Sequence, residues 1–187
     1  MILVADSALP RSRVWCDFEI FVSLTIEEKD RDEEARAHGP YTYDVYTALA
    51  HDDFFRKKRQ AVGLVDGLAP ADGFKGEERA AQYKAQREAP FPPALSDTGM
   101  RARVQDGEAS VAADYQHILN SIVGGERDLN AEVLPEHPRY EEINATLHGR
   151  MAADALKAAI EAGGAMLERA LEALAASRVT RVGVWLD

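Results

Sequence analysis

The 187-residue chain has a single cysteine, Cys16. One thiol excludes an internal disulfide framework and a cysteine-built zinc cluster, and it fits a reducing compartment, so the expected location is cytoplasmic. Basic residues are in deficit, 22 lysines and arginines against 32 acids, for a formal charge of −10. Phosphate binding needs a positive surface, so a nucleic-acid partner is not expected, although Arg56-Lys57-Lys58-Arg59 forms a local basic run. No apolar run is long enough to span a bilayer, and the start shows no basic lead, long apolar segment and small-residue cleavage site in series. The sequence also lacks a phosphate loop, a G-x-S-x-G elbow and an H-E-x-x-H pair. Five histidines lie far along the chain from Cys16, so a cysteine–histidine pair would have to be made by folding.

What is present begins with Ser12-Arg13-Val14-Trp15-Cys16-Asp17-Phe18-Glu19-Ile20-Phe21. Ahead of it, Ile2-Leu3-Val4 has the make-up of a short buried strand ending at Asp6-Ser7. Pro10 suits a first helical position, and a helix is expected over 11–25. Val14, Phe18, Phe21, Val22 and Thr25 recur at three- and four-residue spacing and form the expected core stripe. Glu19 falls at the rim of that stripe, one turn after Trp15. A carboxylate beside an indole in a partly apolar site can have a raised pKa; from spacing alone, Glu19 reads as a solvated rim acid.

The segment Trp15-Cys16-x-x-Glu19, with Phe18 completing W-C-x-F-E, resembles the corresponding segment of TIR (Toll/interleukin-1 receptor) domains, in the form found in large multi-domain plant and algal proteins. In that family the segment opens the third helix of a flavodoxin-like fold, directly after the third strand. The resemblance implies that Glu19 matches the glutamate that is catalytic in the NAD-cleaving members, and that Trp15 and Cys16 match structural residues beside the nucleotide site. It covers at most the first seventy or so residues. The strands and helices that precede this segment in the family have no counterpart here, so the chain is expected to be a piece of a longer protein or a reduced relative.

Further along, Tyr41–Ala50 reads as a short helix with Tyr41, Val45 and Leu49 on one face, and 54–60 as a basic surface segment. Ala61-Val62-Gly63-Leu64-Val65 reads as a strand that would run parallel to the first. Ligands in open α/β sheets bind at strand ends of this kind, which makes Asp66 and Gly67 weak site candidates beside the simpler reading of a turn. Residues 74–88 form an expected exposed helix touching its surroundings through Phe74, Ala81 and Tyr83. The three prolines of Ala89-Pro90-Phe91-Pro92-Pro93 mark an extended linker. Beyond a short strand or irregular stretch at 100–105, Ser110 is the expected cap of a helix presenting Val111, Tyr115, Ile118, Leu119 and Ile122 and ending at Gly124-Gly125. Tyr140, Ile143 or Asn144, Leu147, Met151, Leu156 and Ile160 start a second helix, broken at Gly163-Gly164. Met166, Leu167, Ala170, Leu171 and Leu174 complete a helical hairpin, with His148 as a rim residue. A terminal strand is expected over 179–187.

These readings make an α/β chain: a partial flavodoxin-like, TIR-like segment over 1–89, a proline-rich and irregular connection over 90–108, and a helical region over 109–187 that ends in a strand. The expected function is a signalling or assembly module acting by self-association or on protein partners. The alternatives are an NAD glycohydrolase, with Glu19 catalytic and Trp15, Asp66 and Gly67 around the nucleotide, and a non-catalytic domain of a larger protein. No cofactor is required; NAD enters only as a substrate.

Overall fold

A computed structural model of the protein describes residues 12–25, 44–53, 56–64 and 77–177. Within them lie six helices and one two-stranded antiparallel sheet, a mixed α/β content that is mostly helical. The elements are α1 (Val14–Thr25), β1 (Val45–Asp53), β2 (Arg56–Leu64), α2 (Glu77–Glu88), α3 (Pro93–Gly99), a 3-10 turn (Val104–Asp106), α4 (Ala112–Val123), α5 (Pro138–Ala162) and α6 (Gly164–Ala176). The strands expected at 1–5 and 179–187 lie outside the described residues.

The longest helix, α5, supplies the centre. Pro138 occupies its first turn, where a missing N–H costs nothing, and the His137 ring accepts the Arg139 N–H at 3.3 Å. Tyr140, Ile143, Leu147, Met151, Ala152 and Ala155 are all buried, as the spacing of the larger ones predicts. Helices α1, α3, α4 and α6 all pack against α5. The alanines along it let neighbours come near. Gly149 is one such place, since a Cβ there would meet Ser177 just past the end of α6. Gly99 is another, where a Cβ would lie 2.7 Å from Met151 Cε.

The chain from 45 to 53 is a strand, not a helix. Val45 and Leu49 are four residues apart, a spacing that satisfies both the helical period and the period of two. Residue type decides between them: Val45-Tyr46-Thr47 is β-branched and aromatic. Val45 and Thr47 are buried and pair with Leu64 and Val62 of β2, which are buried too. The expected strand at 61–65 is therefore present, but it extends back to Arg56, takes in the basic run and pairs antiparallel with β1. Its register sets Asp52 opposite Lys57 and Asp53 opposite Arg56, residue types of opposite charge. Helix α2 touches its surroundings differently from the expectation. Ala81 is exposed, whereas Arg87 donates to the Tyr46 hydroxyl at 3.3 Å and ties α2 to the sheet.

Two further elements differ from the sequence reading. Pro93, taken as linker, starts α3, and Phe91 beside it is buried. Residues 104–106 form a 3-10 turn. At α4 the cap residue is Val111, and the row facing the core runs from Tyr115 to Ile122, leaving Val111 54 % exposed. Gly124 ends the helix at φ 72°, as expected.

Gly63 faces the Tyr46 ring across the hairpin. A Cβ there would lie 2.5 Å from Tyr46 Cδ1 and 2.7 Å from the Val45 carbonyl oxygen. We expect Gly63→Ala to destabilise the protein by about 1–3 kcal/mol, the usual cost of overpacking. The denaturant midpoint of the variant, compared at equal m-value, measures it.

Candidate functional site

The W-C-x-x-E segment is placed by a strap, residues 102–110, held between α1 and α5. On the α1 side, the Val14 N–H donates to the Glu108 carbonyl at 3.2 Å and the Glu108 N–H to the Ser12 carbonyl at 2.7 Å, a parallel bridge. Arg13 donates to the Ser110 hydroxyl at 2.6 Å, which is the contact Ser110 makes in place of the expected helix cap. Gly107 is needed here, because a Cβ would lie 2.7 Å from the Val14 nitrogen. On the α5 side, the buried Asn144 Oδ1 accepts the Val104 N–H at 2.8 Å. The Tyr115 hydroxyl donates to the Gln105 carbonyl at 2.6 Å. His148 Nε2 lies 2.6 Å from the Ala102 carbonyl, so this nitrogen carries the proton. Arg103 and Glu141 form an exposed pair at 3.3 Å.

This frame fixes which side of α1 faces inward. Val14, Asp17 and Ile20 are buried, with Phe18 and Phe21 packed beside them. Val22, expected in the core stripe, is 44 % exposed. The helix is turned so that Asp17, three residues after Val14 and four before Phe21, takes a core position. That spacing is visible in the sequence, but the residue type argues against burial. Trp15 is 46 % exposed and Glu19, one turn on, is also exposed, so these two candidates do share one outward face. Asp66 and Gly67 lie outside the described residues.

The chemistry open to this face is limited. Glu19 stands in water rather than at a water-excluding cleft; its backbone carbonyl accepts the Ser23 hydroxyl at 2.8 Å. The half-buried Cys16 thiol is pushed above its ordinary pKa by burial, then by the charges of Glu19 and Asp17, against a smaller opposing effect of Arg13. A thiol held protonated is a poor nucleophile. Among the described residues no cluster of three His, Cys, Asp or Glu side chains could hold a metal ion. No helix among them is long and apolar enough to cross a membrane.

A second polar node joins α3 to α6. Asp97 meets Arg169 at 2.6 Å and Arg101 at 2.7 Å. Burial alone would raise the Asp97 carboxyl, but hydrogen bonds from Arg169 and Arg101 and their charges outweigh it and hold the group below the usual carboxylate range. Neither this pair nor the Asn144–Val104 contact was readable from sequence, because the partners are 72 and 40 residues apart.

No family model matches the chain, and no curated protein and no solved structure matches it.

Two measurements follow from these groups. Cys16 is expected to react with a disulfide reagent at pH 8 more slowly than free cysteine, with its rate profile displaced to higher pH. A rate equal to that of free cysteine would contradict the burial assigned to it. For Asp97 the folded pKa is lowered, so its contribution to stability is fully present above the unfolded value, about 3.9. It is lost as pH falls through the lower folded value. The stability gap between the protein and Asp97→Asn should be open at pH 7 and close under acid, read by urea denaturation at each pH.

Proposed function

We propose that the chain is a protein–protein assembly module that self-associates through the outer face of α1. The observation that carries this reading is the pair Trp15 and Val22, seven residues apart on one helix face, each more than two-fifths exposed, with Glu19 between them. A large indole left in water is costly to keep and is a preferred anchor at protein interfaces, where its area is buried at little cost in side-chain entropy. A charged residue beside it supplies orientation rather than affinity. The strap makes the surrounding helix rigid, and a rigid anchor loses less on binding.

The TIR-like, flavodoxin-like reading of the first half belongs to this proposal, since self-association is what that resemblance implies without catalysis. What supports it is the helix that starts at the Trp15-Cys16 pair. Cleavage of NAD would need Glu19 against a ribose in a closed site, whereas this carboxylate faces solvent.

Sedimentation of the purified chain across a wide concentration range tests the proposal. Oligomers should form as concentration rises, and Trp15→Ala should weaken the association by about tenfold or more, the effect of removing an interface hot spot. Glu19→Ala should leave association within a few-fold. NAD consumption is assayed on the same samples: turnover that vanishes in Glu19→Ala would overturn the assembly reading in favour of an enzyme.

A further inference from the structure

Helices α5 and α6 are separated by one residue, Gly163. Gly163 and the first residue of α6, Gly164, have φ of 63° and 53°, and this glycine pair folds the chain back on itself. Nothing surrounds either residue closely enough to meet an added Cβ. The hairpin is therefore closed by glycine backbone freedom alone, without side-chain packing at the turn.

Two large apolar side chains near this turn stand in water, Ile160 at 41 % and Leu171 at 53 % exposure. In the closed hairpin they belong to different helices. If the chain ran straight through residues 163–164, Ile160, Gly164, Leu167, Leu171 and Leu174 would follow one another at spacings of four, three, four and three. That is the pattern of a coiled-coil seam, with its smallest residue at the crossing point. Exposed positions that make no sense on two short helices thus line up on one long one, roughly 58 Å from Pro138 to Ala176.

We infer that the protein forms a dimer by exchanging α6: in each copy α5 and α6 become a single helix, and each α6 takes the seat on its partner's α5 that it occupies on its own. The occupant of the seat is a second copy because the seat is charge-matched to α6. Asp97 on α3 receives Arg169 of α6, and Gly149 on α5 leaves room for Ser177 at its end. Every contact of the closed hairpin is remade between copies, so opening loses nothing at equilibrium beyond the glycine turn, and the new seam of Ile160, Leu167 and Leu171 is gained. Two glycines inside a continuous helix oppose the exchange, and their cost in helix propensity keeps the closed monomer dominant at low concentration. This association uses a different face from α1 and is independent of it.

The test refolds the full chain at high concentration and reads species by native mass spectrometry. Asp97→Arg and Arg169→Asp are made separately. In an exchanged dimer of one with the other, both seats again hold opposite charges, whereas either variant with itself has two like-charge seats. Mixed refolding should therefore give heterodimers in excess of chance by about tenfold or more. Replacing Gly163 and Gly164 together by alanine strains the closed turn and favours the straight helix, so the dimer share should rise by about tenfold. Ile160→Lys with Leu171→Lys, both at exposed positions, should leave the monomer folded and remove the dimer. The inference is overturned by heterodimers at chance frequency, by a double-alanine protein that stays monomeric or merely loses stability, or by dimers indifferent to the two lysines. Dimers that persist with the lysines and disappear with Trp15→Ala would overturn α6 exchange and leave association through α1 standing. Monomers under every condition would remove both.

Discussion

The backbone N–H of Val104 ends on the side-chain oxygen of Asn144 in the interior, and the placement of α1 depends on that contact. A polar side chain in the middle of α5 would count against the helix if it were unpaired, because a buried group without a partner costs about 1–3 kcal/mol. Here it satisfies a strap that has no helix or sheet of its own to bond with. The strap's other edge then receives the start of α1 through the Arg13–Glu108 bridge. Asn144 thus converts an irregular segment into a fixed surface, and α1 is docked on that surface rather than on the hairpin. The hairpin and α2 are joined by Tyr46, Arg87 and the pairing of Thr47 with Val62, a separate set of contacts.

Small residues determine how the helices meet. The α5 face buries Ala152, Ala155 and Ala159, and α6 buries Ala170 and Ala173. Alanine pairs permit close approach but bury little apolar area each, so a helix held mainly by alanines is attached weakly for its length. The Asp97–Arg169 pair adds a directional tie where area is lacking. The leucines that would have made the attachment strong, Leu171 above all, point elsewhere. A sequence that places its alanines inward and a leucine outward on one helix serves two surfaces, and the closed hairpin uses only one of them.

The helical half was legible because its periods are long. Tyr140, Ile143, Leu147 and Met151 fit one period over three turns, and the glycines at 124 and 163 mark helix ends by a conformation other residues avoid. The hairpin was misread over 45–50 because a spacing of four fits both periods, and the β-forming residues carried the deciding information. The linker was misread at Pro93 because proline stiffens an extended chain and starts a helix equally well. On α1 the existence of the helix was legible but its rotation was not. Phe18 and Val22 read as core and Asp17 as surface, whereas the strap, brought in from 90 residues away, turned Asp17 inward and Val22 outward. Rotation about a helix axis is a tertiary property when both faces carry apolar residues, and α1 has Trp15 and Val22 on one and Val14 and Ile20 on the other.

That rotation bears directly on function. The same W-C-x-x-E pattern has opposite consequences depending on which side of the helix is covered. With Glu19 turned into a cleft, the carboxylate would be desolvated, oriented and able to stabilise positive charge on a sugar. With Asp17 turned in instead, Glu19 is left beside an exposed indole on a convex surface, where water screens its charge and no substrate is enclosed. A convex face with an aromatic anchor matches a partner's pocket better than it matches a nucleotide. Burial of the neighbouring Cys16 thiol, which raises its pKa, removes a second nucleophile from the same turn of helix. Association through α1 and catalysis by Glu19 are therefore competing uses of one helix, and the strap that buries Asp17 favours the first.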